Sequence, residues 1–394
     1  MRDLGESEKF LKFPEGFLWG AASASYQVEG GIYNNDWSKG AEEGKVPPAG
    51  KSSDHYNLYE SDFDIAKSLG QNCQRISIEW SRIEPIEGRF DQNEIMHYRK
   101  VLKSLNDKGL RPFVTLWHFT LPQWFSEKGG FESKDAPEIF SKYSAFVVSQ
   151  LDDLCSNFST MNEPLVWLSS GYWRGQWPPF KKYKIRSIVR IFNNLTRAHN
   201  LSYEKIKKQN KNLDINFVKH NISLASDWTP WSKIAKAVSF LIWNRLFIYK
   251  TIKNTDSIGI NYYFHRQLGL KKVKFNKSDM GWDLNPEGLY NVLSRLKKFK
   301  KPIYITEAGL ADKEDKYRAD YIKGLVKSVH RAIENGLDVR GFMYWSILDN
   351  FEWAEGFPPR FGLVEINYET LERKIRPSAY VYKTICEENG LKLK

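Results

Sequence analysis

Cysteine is scarce in this 394-residue chain. Cys73, Cys155 and Cys386 lie far apart and in no Cys-x-x-Cys spacing, so neither a disulfide framework nor a zinc cluster is suggested, and buried free thiols are expected. The seven histidines are scattered without a His-Glu-x-x-His helix, and neither a metal nor a cofactor is expected. Long apolar runs are missing as well. The stretch Met1-Arg-Asp-Leu-Gly-Glu-Ser-Glu-Lys9 has no signal core, and the most apolar later segment, Ile234 to Tyr249, is broken by Lys236, Asn244 and Arg245. No membrane contact and a cytoplasmic location are therefore expected. The net charge is +12, but no nucleic-acid motif accompanies it, and its lysines fall on helix-like stretches such as Arg295-Leu-Lys-Lys-Phe-Lys-Lys301. A solvated basic face, with no nucleic-acid partner, is the expectation. The glycines of Gly44-Lys-Val-Pro-Pro-Ala-Gly-Lys-Ser52 are separated by five residues, one more than a phosphate loop has, and no strand and helix flank them.

Aromatic residues are abundant instead: 15% of the chain, with 14 Trp and 20 Tyr. They can fill a core, or stack on the apolar face of a sugar ring while their polar tips hydrogen-bond. With 41% hydrophobic content the chain can bury one large α/β domain or two ordinary ones. Strand signals recur at 17–21, 73–78, 111–116, 157–160, 216–219, 257–260, 303–306 and 339–345. Helical patterns lie between most of them, at 56–69, 93–108, 136–151, 186–209, 286–298 and 316–335. Eight alternating units with no linker predict a single closed (β/α)8 barrel over residues 1–394. The alternative, an open doubly wound sheet, needs a dinucleotide or switch-point signature that is not found.

Two glutamates stand where short apolar runs stop: Glu163 in Phe158-Ser-Thr-Met-Asn-Glu-Pro164 and Glu307 in Pro302-Ile-Tyr-Ile-Thr-Glu-Ala-Gly309. Alone, each would read as a salt-bridge partner or helix-start carboxylate. Together, at the ends of strands four and seven of a barrel, they can supply acid, base and nucleophile for cleaving a glycosidic bond. His118, Asn162, Asn261, Tyr263, Trp345 and Glu352 also follow strands three, four, six and eight, a concentration of polar groups that core packing does not explain.

At these residues the chain resembles glycoside hydrolase family 1, the retaining β-glucosidases, β-galactosidases and 6-phospho-β-glucosidases. The resemblance runs nearly full length. It is carried by the segments Phe13 to Gly30, Thr160-Met-Asn-Glu-Pro164, Tyr304-Ile-Thr-Glu-Ala-Gly309, and Tyr344 to Gly356 followed by Arg360-Phe-Gly-Leu363. It implies Glu307 as nucleophile and Glu163 as acid/base, with a carboxyl separation of roughly 5 to 5.5 Å. It further implies Arg75, Asn261 and Tyr263 near the nucleophile, Gln27, His118, Asn162, Glu352 and Trp353 on the sugar hydroxyls, and Trp345 beneath the ring. Trp282 and Phe361 are expected as apolar walls, with plain packing an equal reading for Trp282. The substrates implied are β-linked oligosaccharides or aryl and alkyl β-glucosides, with galactosides and fucosides in range.

Two departures stand out. Ala308 occupies a position where the family usually has Asn, on a strand alternation expected to point it away from Glu307. The chain is also short, with the shortfall expected in a short loop around 271–279 and between strands five and six, where one helix-like segment over 221–256 leaves the outer wall thin. There Phe240-Leu-Ile-Trp243 and Leu246-Phe-Ile248 would either cover the barrel or be exposed to a partner or ligand. The competing readings are a 6-phospho-β-glycosidase, against which Glu352 speaks by charge, and a non-catalytic sugar-binding relative, which would gain nothing from two close buried carboxylates.

Overall fold

The computed structural model of the protein describes residues 9–393. Eight strands close a parallel barrel: β1 (Leu18–Ala22), β2 (Cys73–Ser77), β3 (Arg111–Thr115), β4 (Asn157–Asn162), β5 (Asp214–His220), β6 (Ile258–Tyr262), β7 (Ile303–Ala308) and β8 (Val339–Trp345). Each pairs with the next in sequence, and β8 returns to β1, so the (β/α)8 expectation holds. Observed strands differ from the expected spans by a residue or two at their ends, and β8 matches throughout. The outer layer includes α1 (His55–Ser68), α2 (Gln92–Asp107), α3 (Ala136–Leu151), α4 (Ile185–Gln209), α5 (Pro230–Ser239), α6 (Glu287–Ser294), α7 (Arg318–Glu334) and α8 (Pro377–Glu388).

Local chemistry sets these elements. In α2 the apolar residues Ile95, Tyr98, Val101, Leu102 and Leu105 recur at helical spacing and are buried, while Asp91 caps the start by accepting from the N–H groups of Asn93 and Glu94. Such a cap stabilises a helix by about 1 kcal/mol. The strands are buried on both faces, as a barrel wrapped by helices requires. Inward-facing Ala22, Cys73, Phe113, Tyr304, Met343 and Trp345 form one apolar cluster. Outward-facing Ile76, Val114, Ile260, Ile305 and Phe342 join the larger core shared with the helices. Gly20 is required where β1 meets β2, because a Cβ there would lie 2.2 Å from the Cys73 carbonyl oxygen.

Two strands break their register near the mouth of the barrel, β4 between Ser159 and Asn162 and β7 between Ile305 and Glu307. Bulges of this kind re-aim side chains. In β7, Thr306 donates to Asn261 Oδ1 at 2.7 Å, Glu307 pairs with Arg75, and Ala308 turns into the outer core. The alternation expected for Ala308 is therefore observed, with the bulge bringing the two preceding residues inward.

The 221–256 segment differs from the single helix expected. A strand, Ser223–Ser226, pairs with His265–Leu268, and helix then runs from Pro230 to Thr251 through a π-turn at Phe240–Arg245. Its apolar residues divide between the two roles considered: Phe247 and Ile248 are buried against the barrel, whereas Leu241 and Ile242 are half exposed. The amphipathic period makes both outcomes true on opposite faces.

Candidate active site

Both glutamates are buried at the C-terminal mouth of the barrel and line one cavity of about 890 Å³. Glu163 lies one residue beyond β4 with φ at +41°, a left-handed backbone that costs a non-glycine residue about 1 kcal/mol or more. It is held there by its own N–H, which donates to the Val218 carbonyl at 2.9 Å, and by Asn261 Nδ2, which donates to its Oε1 at 2.7 Å. Glu307, at the end of β7, forms an ion pair with the Arg75 guanidinium and accepts from the Tyr263 hydroxyl at 2.8 Å.

Arg75 is fixed from behind. Its Nε donates to Thr115 Oγ1 at 3.0 Å and its second terminal nitrogen to Asn162 Oδ1 at 2.8 Å. Asn261, expected to support Glu307, lies beside it in the sheet; its Oδ1 accepts from Thr306, which turns its amide nitrogen toward the two carboxyls, with Glu163 Oε1 at 2.7 Å. It serves both carboxyls: its amide also helps lower the pKa of Glu307, as expected, while its tightest bond is to Glu163. Arg75 and Asn261 stand behind the cavity wall; the other residues expected in the site line it.

Electrostatics separate the two carboxyls. Burial raises Glu163, and the charge of Glu307 raises it further, with only the Asn261 hydrogen bond and the more distant Lys219 and Arg75 opposing. Burial raises Glu307 too, but the Arg75 charge, the Arg75 hydrogen bond, the Tyr263 hydroxyl and the Asn261 amide all pull it back. Glu307 is thus the member that ionises first and Glu163 the member that keeps its proton. Glu352 is pushed up to about 8, chiefly by burial and then by the charge of Glu307. Both effects favour its protonated form, so its charge opposes a phosphate less than its residue type suggested.

The polar groups around the pair have free valences. Gln27 Nε2 donates to Asn350 Oδ1, the Phe351 carbonyl and Glu352 Oε2, leaving its buried Oε1 without a partner among the described residues. His118 is kept neutral by burial and by the Arg75 charge, and its Nε2 meets the Asn162 amide at 3.0 Å. With Asn162 donating, the proton sits on His118 Nδ1, which is likewise buried without a partner. Trp345, Trp353 and Phe361 form aromatic surfaces of the cavity. Trp282 does two things: it lines the cavity and packs on Phe361 and on Phe264, ring centroids 6.0 and 4.4 Å apart. The loop carrying Glu352, Trp353 and Phe361 is anchored by Asp349, which takes both terminal nitrogens of Arg376 and the Gly362 N–H.

Two residues at the end of β5 had no assigned role. His220 lines the cavity beside Tyr263, ring centroids 6.1 Å apart, and neither of its ring nitrogens has a partner among the described residues. Lys219 is fully buried behind it, its Nζ donating to the His220 carbonyl at 2.6 Å and lying 5.3 Å from the Trp243 ring centroid. Burial lowers its pKa to about 7, partly offset by the charge of Glu163. A lysine and a histidine ending the strand run Ile215-Asn-Phe-Val218 were the sequence signal.

Comparison with known proteins agrees with this geometry. The family model described as Glycosyl hydrolase family 1 matches residues 10–238 and 231–391. Beta-glucosidase A of Acetivibrio thermocellus is 32% identical over an alignment covering 96% of this chain and 99% of that protein, and the Beta-galactosidase of Pyrococcus woesei is 30% identical over 96% and 98%. Among solved structures, a beta-glycosidase from Pyrococcus horikoshii superposes with a TM-score of 0.92 at 36% identity, covering 98% of this chain and 97% of that one. A Beta-glucosidase from Thermotoga maritima, solved in complex with glucoimidazole, superposes at 0.91 with 30% identity, covering 97% and 100%.

Proposed function

The chain belongs to glycosyl hydrolase family 1 and is a β-glycosidase, and from that premise we propose that it is a retaining exo-enzyme acting on β-glucosides, with β-galactosides and β-fucosides in range. The observation that carries this reading is the asymmetry of the glutamate pair, with a cation on Glu307 and none bonded to Glu163 among the described residues.

In this mechanism the ionised Glu307 attacks the anomeric carbon as the glycosidic C–O bond breaks, and Glu163 gives its proton to the departing oxygen. The product is a glycosyl ester on Glu307, which removes one negative charge from beside Glu163. Glu163 is then a carboxylate of lowered pKa, able to take a proton from water as that water attacks the same carbon and releases Glu307. Asn162 serves the 2-hydroxyl, while Gln27 Oε1, His118 Nδ1 and Glu352 meet the hydroxyls farther round the ring. Trp345 supplies the stacking surface.

The test is turnover of aryl β-glucoside, galactoside, fucoside, mannoside and 6-phosphoglucoside by wild type and by Glu307→Gly, with and without azide. Hydrolysis of a neutral glycoside, lost in the variant and restored by azide as an α-glycosyl azide, is the expected result. Activity on the phosphorylated sugar alone would refute the neutral-glycoside assignment, and an α-glycosyl azide formed by Glu163→Gly but not by Glu307→Gly would reverse the roles.

A further inference from the structure

One face of the molecule is apolar and basic at once. Along α5 and the π-turn that extends it, Trp231, Ile234, Val238, Leu241 and Ile242 recur at helical spacing with about half or more of their surface exposed, and Trp228 precedes them at 69%. The loop after His265–Leu268 adds Leu270 at 80% and Val273 at 68%. It is fastened to the start of the helix, since the Leu270 N–H donates to Asp227 Oδ2 at 2.7 Å. An apolar stripe of this size on an outward helix face marks an interaction surface.

The charges around it point to what it meets. Residues 228–255 carry five Lys or Arg, residues 266–278 carry five more, and neither stretch holds an Asp or Glu. Lys233, Lys250, Lys271, Lys272 and Lys274 are exposed. A second copy of this chain, placed face to face, would set cation against cation. A nucleic acid would leave the aliphatic residues without a partner. An anionic bilayer surface satisfies both features: indole and aliphatic side chains enter the headgroup boundary while lysine stems extend to lipid phosphates.

We propose that this face docks the enzyme on the surface of anionic lipid membranes. The contact is peripheral, because among the described residues no helix is long and apolar enough to span a bilayer. The missing apolar run that argued against membrane contact excludes a spanning segment and leaves surface docking open. The Ser223–Ser226 strand that leads to the face starts three residues after His220, which lines the cavity.

Co-sedimentation of the full chain with vesicles tests this, comparing phosphatidylglycerol–phosphatidylcholine mixtures with pure phosphatidylcholine. Wild type is expected to bind the anionic vesicles at least tenfold more tightly, and to release in high salt. A Trp228→Ser, Trp231→Ser, Leu241→Ser variant should lose that binding, and Lys271→Gln, Lys272→Gln, Lys274→Gln should weaken it. Aryl glycoside turnover should be unchanged in both variants, which reports intact folding. Absence of wild-type binding to anionic vesicles would overturn the proposal. So would a dimer in size-exclusion chromatography that the apolar substitutions convert to monomer, since the face would then belong to a second copy.

Discussion

Arg75 pairs with Glu307 and not with Glu163, although both carboxyls are buried in the same cavity. That choice is made by Thr115 and Asn162, which hold two other guanidinium nitrogens and leave one to point at β7. Arg75→Met removes the charge that favours ionised Glu307. Because Glu307 must be ionised to attack, the acid limb of kcat/KM should move to higher pH by about 1 to 3 units, the effect of losing an opposite charge at contact. Arg75→Lys should restore part of the shift. An unmoved acid limb in Arg75→Met would show that Arg75 does not set the ionisation of Glu307.

Glu163 matters most where the leaving group needs a proton. Glu163→Ala should reduce turnover of an alkyl β-glucoside by about 10²- to 10⁴-fold, the usual contribution of general acid catalysis. A dinitrophenyl glucoside leaves without protonation, so its first step should be nearly unaffected. Added azide should then speed its overall turnover by replacing the unactivated water. Equal losses on both substrates would remove Glu163 from the acid role.

Much of this was legible in the sequence because strand ends and catalytic groups coincide in a parallel barrel. Glu163, Glu307, His118 and Tyr263 each follow an apolar run, and period and position suffice to place them on one face. What escaped was set by side-chain geometry. Asn261 lies beside Glu307 in the sheet and bonds Glu163 as well, an orientation fixed by Thr306 at its carbonyl oxygen. Lys219 sits on the outward side of β5 and reaches the site only electrostatically, through a carbonyl and an indole that no linear pattern links to it. The strands Ser223–Ser226 and His265–Leu268 and the π-turn at Phe240–Arg245 also escaped, since four-residue strands and a single widened turn are too short to set a period of their own.

Lys219 offers a direct check on the acid/base group. Its ammonium favours the ionised form of Glu163, so Lys219→Met should raise the pKa of Glu163 further. Activity requires Glu163 protonated, and the basic limb of kcat/KM should therefore move to higher pH while the acid limb, set by Glu307, stays in place. Lys219→Arg, a cation at every working pH, should lower the pKa of Glu163 and move the basic limb down. A basic limb displaced downward in Lys219→Met would contradict this electrostatic role.

Ala308 separates packing from catalysis. It lies in register with Tyr262 on one side and Tyr344 on the other, all three fully buried. Both hydroxyls are committed, Tyr262 donating to the Asn285 carbonyl at 2.6 Å and Tyr344 accepting from Arg318 Nε at 3.1 Å. Asparagine here would place an amide between two engaged phenols in a filled layer. Ala308→Asn should thus destabilise the protein by about 1 to 3 kcal/mol, from overpacking and an imperfectly paired polar group, and lower the midpoint of urea denaturation. Because the side chain faces away from Glu307, kcat should stay within about twofold and neither pH limb should move, well below the tenfold that 1.4 kcal/mol of transition-state stabilisation represents. A shifted acid limb with unchanged stability would mean that residue 308 tunes the nucleophile after all.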